Sequence, residues 1–267
     1  MNTRTLLSLL ALVVLCVAGS ASAYPGGTPD FQTDVEPFCA ACHSSTDEAA
    51  LAGAGERARK EVAARKHIAP IQAGEKGYGK LSEADRATLI AHIQAVDANS
   101  KITLEFPPQV AAGENFQVTV KLTGGAGPVV GVALVDRPHR WFARSATSAG
   151  WTVVDAPTVI GPDGSLQTQW LGRRPERYGR NITYVNVTGV SSDAAAGTWS
   201  KSKVIFTLRA PDKPGDYPLV GTYLYGTEKA SPLGYEEHPI YGKLVRGTYQ
   251  GKSGRVKFTP LHVITVK

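Results

Sequence analysis

Two thiols three residues apart, followed at once by an imidazole, make Cys39-Ala40-Ala41-Cys42-His43 the stretch of this 267-residue chain with the clearest chemical spacing. Covalent attachment of haem needs two thiols placed to meet the two vinyl groups along one porphyrin edge. It also needs a histidine directly after them, so that the next helical turn delivers an imidazole to iron. The run has that arrangement. The competing reading is half of a zinc site, which requires two further Cys or His ligands in a second paired cluster. The third cysteine, Cys16, lies in the leader, so no such pair exists. One covalently held haem c is expected, attached at Cys39 and Cys42 and ligated through its iron by His43.

Phe31, Val35 and Phe38 precede the motif, and a Leu81-Ser82-Glu83-Ala84-Asp85 stretch opens an amphipathic run that reaches Gln94. Together with the C-x-x-C-H run they resemble the two crossing helices of class I-like monohaem cytochromes c, over residues 24–100. The resemblance implies electron transfer by cycling of iron between its ferric and ferrous states. One departure bears on the distal side of the haem. That family usually supplies a methionine there, yet Met1 is the one methionine in the sequence.

His67 and His92 are the remaining histidines of this half. His67 precedes Ile68-Ala69-Pro70, about where the resemblance places the distal ligand, and is the expected second metal ligand. Bis-histidine ligation would give a low potential. His92, a Lys or Tyr, or an empty sixth position are the alternatives, the last making the protein a haem sensor or enzyme for a small ligand. A plainer reading makes His67 a surface residue at a basic helix end, next to Arg65 and Lys66, where positive charge suits the helix carboxy terminus.

The elements that must position these groups follow from texture. The first 23 residues carry one charge, Arg4, then an apolar run over 6–18 and a small-x-small ending at Ala21-Ser22-Ala23, the layout of a secretory signal peptide. A periplasmic or extracellular location is expected. No later stretch has the roughly 20 apolar residues of a transmembrane helix. Residues 24–100 are rich in Ala, Glu, Arg and Lys. Ser82 before Asp85 marks a helix start by a capping-box variant, and Leu89, Ile93 and Val96 recur at helical spacing.

After residue 101 the pattern changes to short β-branched and aromatic runs broken by Gly and Pro. Nine strands are expected, at 102–106, 116–122, 129–135, 151–154, 166–170, 182–187, 203–208, 217–225 and 256–266, with no helix between them. Such a series implies an antiparallel sandwich. Pro214-Gly215-Asp216-Tyr217 suggests a tyrosine corner, and Trp141, Trp151, Trp170 and Trp199 are expected to feed the core. The segment 202–211 with Tyr217, and 131–136 with Gly150-Trp151, resemble Reeler-type or other immunoglobulin-like modules. The expected fold class is thus α + β multidomain: signal peptide 1–23, a small all-α cytochrome c haem domain at 24–100, and an all-β immunoglobulin-like sandwich at 101–267.

Charge divides unevenly, net −3 over residues 24–100 and +8 over 101–267. Arg137, Arg140 and Arg144 surround Trp141, while Arg173, Arg174, Arg177 and Arg180 lie near Trp170 and Tyr178. Brought together, such guanidinium groups would bind anions or an acidic protein face; separately they are solvated loops. A redox protein or another cytochrome is the expected partner, with self-association a further possibility and nucleic acid excluded. No nucleophile, base and orienting acid stand at a recognisable spacing, so the expectation is an exported electron carrier docked by its sandwich rather than an enzyme. The remaining alternative is an assembly module of a polymeric or surface cytochrome.

Overall fold

The computed structural model describes residues 67–75, 77–138, 143–168, 183–246 and 254–267. A short helix α1, Ala69–Gln72, is followed by the 17-residue α2, Glu83–Asn99. Among the described residues fourteen strands follow: β1 (Lys101–Glu105), β2 (Gln109–Val110), β3 (Asn115–Thr123), β4 (Ala126–Val135), β5 (Thr152–Val153), β6 (Thr158–Ile160), β7 (Leu166–Gln167), β8 (Tyr184–Thr188), β9 (Lys201–Arg209), β10 (Gly215–Gly226), β11 (Tyr235–His238), β12 (Gly242–Val245), β13 (Arg255–Phe258) and β14 (His262–Val266).

Two six-stranded sheets face each other. One runs β1-β3-β9-β6-β7 with β5 added to β9, the other β2-β14-β10-β4-β8 with β13 added to β10, and β11-β12 is a separate hairpin. Pairing is antiparallel except between β2 and β14. In β3 the alternation is clean: Phe116, Val118, Val120 and Leu122 are buried and their neighbours face outward, as expected of a strand covered on one side. From β9, Val204, Phe206 and Leu208 join the same core. At its centre Trp151, 1% exposed, meets Phe116 and Tyr217 edge to face at 5.4 and 5.7 Å and donates its indole N–H to the Pro218 carbonyl at 2.8 Å. Burying such a ring contributes a large share of the core energy, and its polar edge has a partner.

Strand β10 is covered on both faces. Leu219, Tyr223 and Tyr225 enter the main core, while Val220 and Leu224 join Ala133, Val135, Tyr184 and Val256 in a second cluster. Its edge is shared in succession: Gly215–Leu219 pair with β14, and Thr222–Tyr225 pair with β13. The expected single strand over 256–266 is therefore two. Pro260 has no N–H to give a ladder, and Thr259 fills the gap by donating its backbone N–H to Gly221 O at 2.9 Å and accepting from Gly221 N at 3.0 Å.

The tyrosine corner is present, with the Tyr217 hydroxyl donating to Lys213 O at 2.8 Å. Gly124 and Gly125, both at positive φ of +74° and +73°, carry the chain from one sheet to the other. Their backbone groups bond to Tyr223 and Ser100. Strands β2, β6, β11 and β12 were not expected; each is four residues or shorter.

The expectation of a small all-α cytochrome domain followed by a separate sandwich is corrected. Among the described residues the helical part is α1 and α2, and α2 belongs to the sandwich. Leu89 and Ile93 close a cluster with Ile71 and Tyr78 against Leu233, whereas Val96 enters the main core. The Ser82 cap accepts from Asp85 N at 3.1 Å. At the other end Lys257 donates to the carbonyls of Asp97 and Ser100, so a cation from β13 satisfies the helix carboxy terminus. Helical periodicity identified the buried stripe, but the surface it covers is β-sheet.

Candidate functional site

A buried polar cluster joins the helical segment to the sandwich. The 3-10 turn Glu228–Ala230 follows β10 and places Glu228, 0% exposed, beneath the turn that contains Tyr78. Tyr78 donates its hydroxyl to Glu228 Oε1 at 2.9 Å, and Thr227 donates to Oε2 at 2.7 Å. His67, 1% exposed, meets the same carboxylate with Nε2 2.5 Å from Oε1. On its other side Arg255, at the start of β13, directs Nη1 at His67 Nδ1. A guanidinium can only donate, so Nδ1 is the acceptor and Nε2 carries the proton given to Glu228.

His67 is therefore a neutral imidazole between a cation and an anion. Burial holds its pKa below the ordinary histidine value, with Glu228 opposing and Arg255 reinforcing that shift. Arg255 also donates Nε to Asp97 Oδ2 at 2.8 Å, and Tyr225 donates to Asp97 Oδ1 at 2.6 Å. Burial and the Asp97 charge push the Tyr225 phenol well up; burial and Glu228 do the same to Tyr78. Asp97 thus pairs with Arg255, the neutral histidine links that guanidinium to Glu228, and two phenols donate to the two carboxylates. Buried charges persist where they are paired and hydrogen-bonded in this way.

Arg246 ties down the neighbouring loop, donating Nε to Leu233 O at 3.1 Å and Nη1 to Gly77 O at 2.5 Å.

The expected site residues fall in two groups. Cys39, Cys42 and His43 lie outside the described residues. His67 is described, and both its ring nitrogens are engaged: the lone pair that iron would need points at Arg255. The buried placement also replaces the plainer reading of a surface histidine at a helix end. His92 faces the turn after β10, its Nδ1 2.8 Å from Ser231 Oγ. Arg140 and Trp141, with residues 173–180, lie outside the described residues.

Among the described residues no group of three or more His, Cys, Asp or Glu is placed to hold a metal ion, and no helix is long and apolar enough to cross a membrane. With both His67 nitrogens engaged and α2 packed into the sandwich core, the reading as a bis-histidine monohaem electron carrier, with its sensor and polymeric-cytochrome alternatives, is corrected. The segment that was to be the distal half of a haem domain is bonded into the sandwich instead.

Glu228 and Arg255 were not singled out in the sequence. Glu228 sits in Gly226-Thr227-Glu228-Lys229, which reads as an ordinary polar turn. The one available signal is the Val256-Lys257-Phe258 strand opening on an arginine, and it is weak.

No family model and no curated protein matches the chain, and the expected cytochrome c resemblance is corrected by the packing of α2 into the sandwich core. Among solved structures, the CARDB domain of a Pyrococcus furiosus protein in complex with di-metal ions is 11% identical, over 63% of this chain and 90% of that one, with a TM-score of 0.25.

Proposed function

We propose that this chain is an exported scaffold protein whose β-sandwich seats the polypeptide that leads into it. The observation that carries the reading is His67, held by Glu228 from the turn after β10 and by Arg255 from β13. Chain entering at residue 67 is gripped by charged groups from two distant parts of the sandwich, and α2 then adds Val96 to its core. Such a junction fixes the helical segment from residue 67 onward against the sandwich.

Native-state hydrogen exchange on the full chain tests the reading. The amides of α2 should exchange only through the same global opening as those of β3, β9 and β10. Exchange of α2 by a separate, lower-energy opening would overturn it.

The sequence that precedes residue 67 contains Cys39, Cys42 and His43. We propose covalent haem attachment at the two thiols with His43 on iron, as a statement about cofactor content alone. Haem staining of the denatured, exported protein checks it, with the Cys39→Ala, Cys42→Ala double variant as control. Absence of covalent haem would remove this proposal and leave the scaffold reading as it stands.

A further inference from the structure

The turn that sends Glu228 into the buried cluster sends the next residue elsewhere. Lys229 lines a cleft of about 210 Å³ together with Gly127, Gly189, Val190, Ser191 and Tyr235, where the ends of β4 and β8 meet the turn after β10. At a liquid share of about 30 Å³ per water, this is room for roughly seven waters, or one molecule the size of a small aromatic acid.

Three features fix the chemistry. First, Lys229 is half-buried, and burial is the one cause that lowers its pKa. No carboxylate opposes the shift, so the ammonium is desolvated without an ion-pair partner among the described residues. The buried cations Arg246 and Arg255 each have one. Second, the described lining contains no Asp or Glu, and Lys229 is its one charged side chain. Third, Gly127 and Gly189 lie at positive φ, +122° and +74°, and contribute backbone without side chains. A Cβ at Gly189 would meet no more than Pro162, at 3.9 Å. A flat ligand can therefore lie close to the backbone, beside Tyr235.

We propose that this cleft binds a small organic molecule bearing one carboxylate, with Lys229 as counter-ion, the Ser191 hydroxyl as a second donor, and Tyr235 against its apolar part. Charge-assisted hydrogen bonds of a desolvated ammonium are the strong kind.

Calorimetric titration of the purified full chain with benzoate, and with its neutral isostere benzamide, tests the assignment. Saturable benzoate binding is expected, with benzamide at least about tenfold weaker. Lys229→Gln should weaken benzoate at least about tenfold, while Lys229→Arg stays within about threefold of the parent. Ser191→Phe, at an exposed position, keeps the ammonium but fills the space, and should abolish binding. Absence of saturable benzoate binding, equal affinity for benzamide, or full binding retained by either folded Lys229→Gln or Ser191→Phe would overturn the proposal.

Discussion

His67 Nε2 lies 2.5 Å from Glu228 Oε1, across 161 residues of sequence, and neither side chain has appreciable access to water. Arg255 closes the far side of the ring, and Asp97 closes the far side of Arg255. Each member has its charge or hydrogen-bonding capacity met by the next, so removing one exposes the desolvation cost of the others.

Glu228→Ala should accordingly be among the most damaging single substitutions at this junction. It strands Tyr78, Thr227 and the imidazole N–H in a buried place and leaves Arg255 with less opposing charge. A loss of about 3–5 kcal/mol is expected, read in urea as a lower midpoint with an unchanged slope. A loss of about 1 kcal/mol or less would mean that water enters the cluster.

The histidine makes stability depend on pH in a defined direction. Its folded pKa lies below the ordinary 6.5, so below that value the unfolded chain binds a proton that the folded chain refuses. Stability contributed by neutral His67 is complete above about pH 6.5 and is lost as pH falls toward the depressed folded pKa. Denaturation midpoints measured from pH 7.5 downward should fall in the parent. His67→Gln should show a flatter profile, and an equal slope in both would rule out this titration.

Tyr217→Phe removes a single hydroxyl from the corner while keeping the ring against Trp151. About 0.5–1.5 kcal/mol should be lost, with near-ultraviolet dichroism of the tryptophans preserved. Loss of that signal would show that the hydroxyl organises the core and does more than tie one crossing.

Trp151→Ala should cost about 3–5 kcal/mol. It opens a cavity between Phe116 and Tyr217 and leaves the Pro218 carbonyl without its donor. Thermal unfolding should report a clear drop in midpoint, and retention of the parent midpoint would place the weight of the core elsewhere.

At Gly125 two obstacles combine: φ is +73°, and an added Cβ would run into the Tyr223 hydroxyl. Gly125→Ala should destabilise strongly, and adding Tyr223→Phe should recover part of the loss. The coupling, at least about 0.5 kcal/mol in a double-mutant cycle, separates the steric part from the backbone part. Strict additivity would assign the whole effect to the backbone.

Local rules written in neighbouring residues were readable from the sequence. Ser82 is three residues from the amide it caps, Tyr217 is four from the carbonyl it binds, and Leu89, Ile93 and Val96 share one face of one helix. Period-two alternation likewise announced β3 and β9, because side-chain direction within a strand is fixed by the backbone alone. What lay opposite those faces was not in the local pattern. The stripe on α2 is equally suited to a haem domain or to a sheet, and the sheet is what it meets. Tertiary structure also decided the fate of His67, whose partners come from 161 and 188 positions away. A buried charge is stabilised by whichever opposite charge the fold brings within hydrogen-bonding reach, and that is a property of the whole chain rather than of any segment.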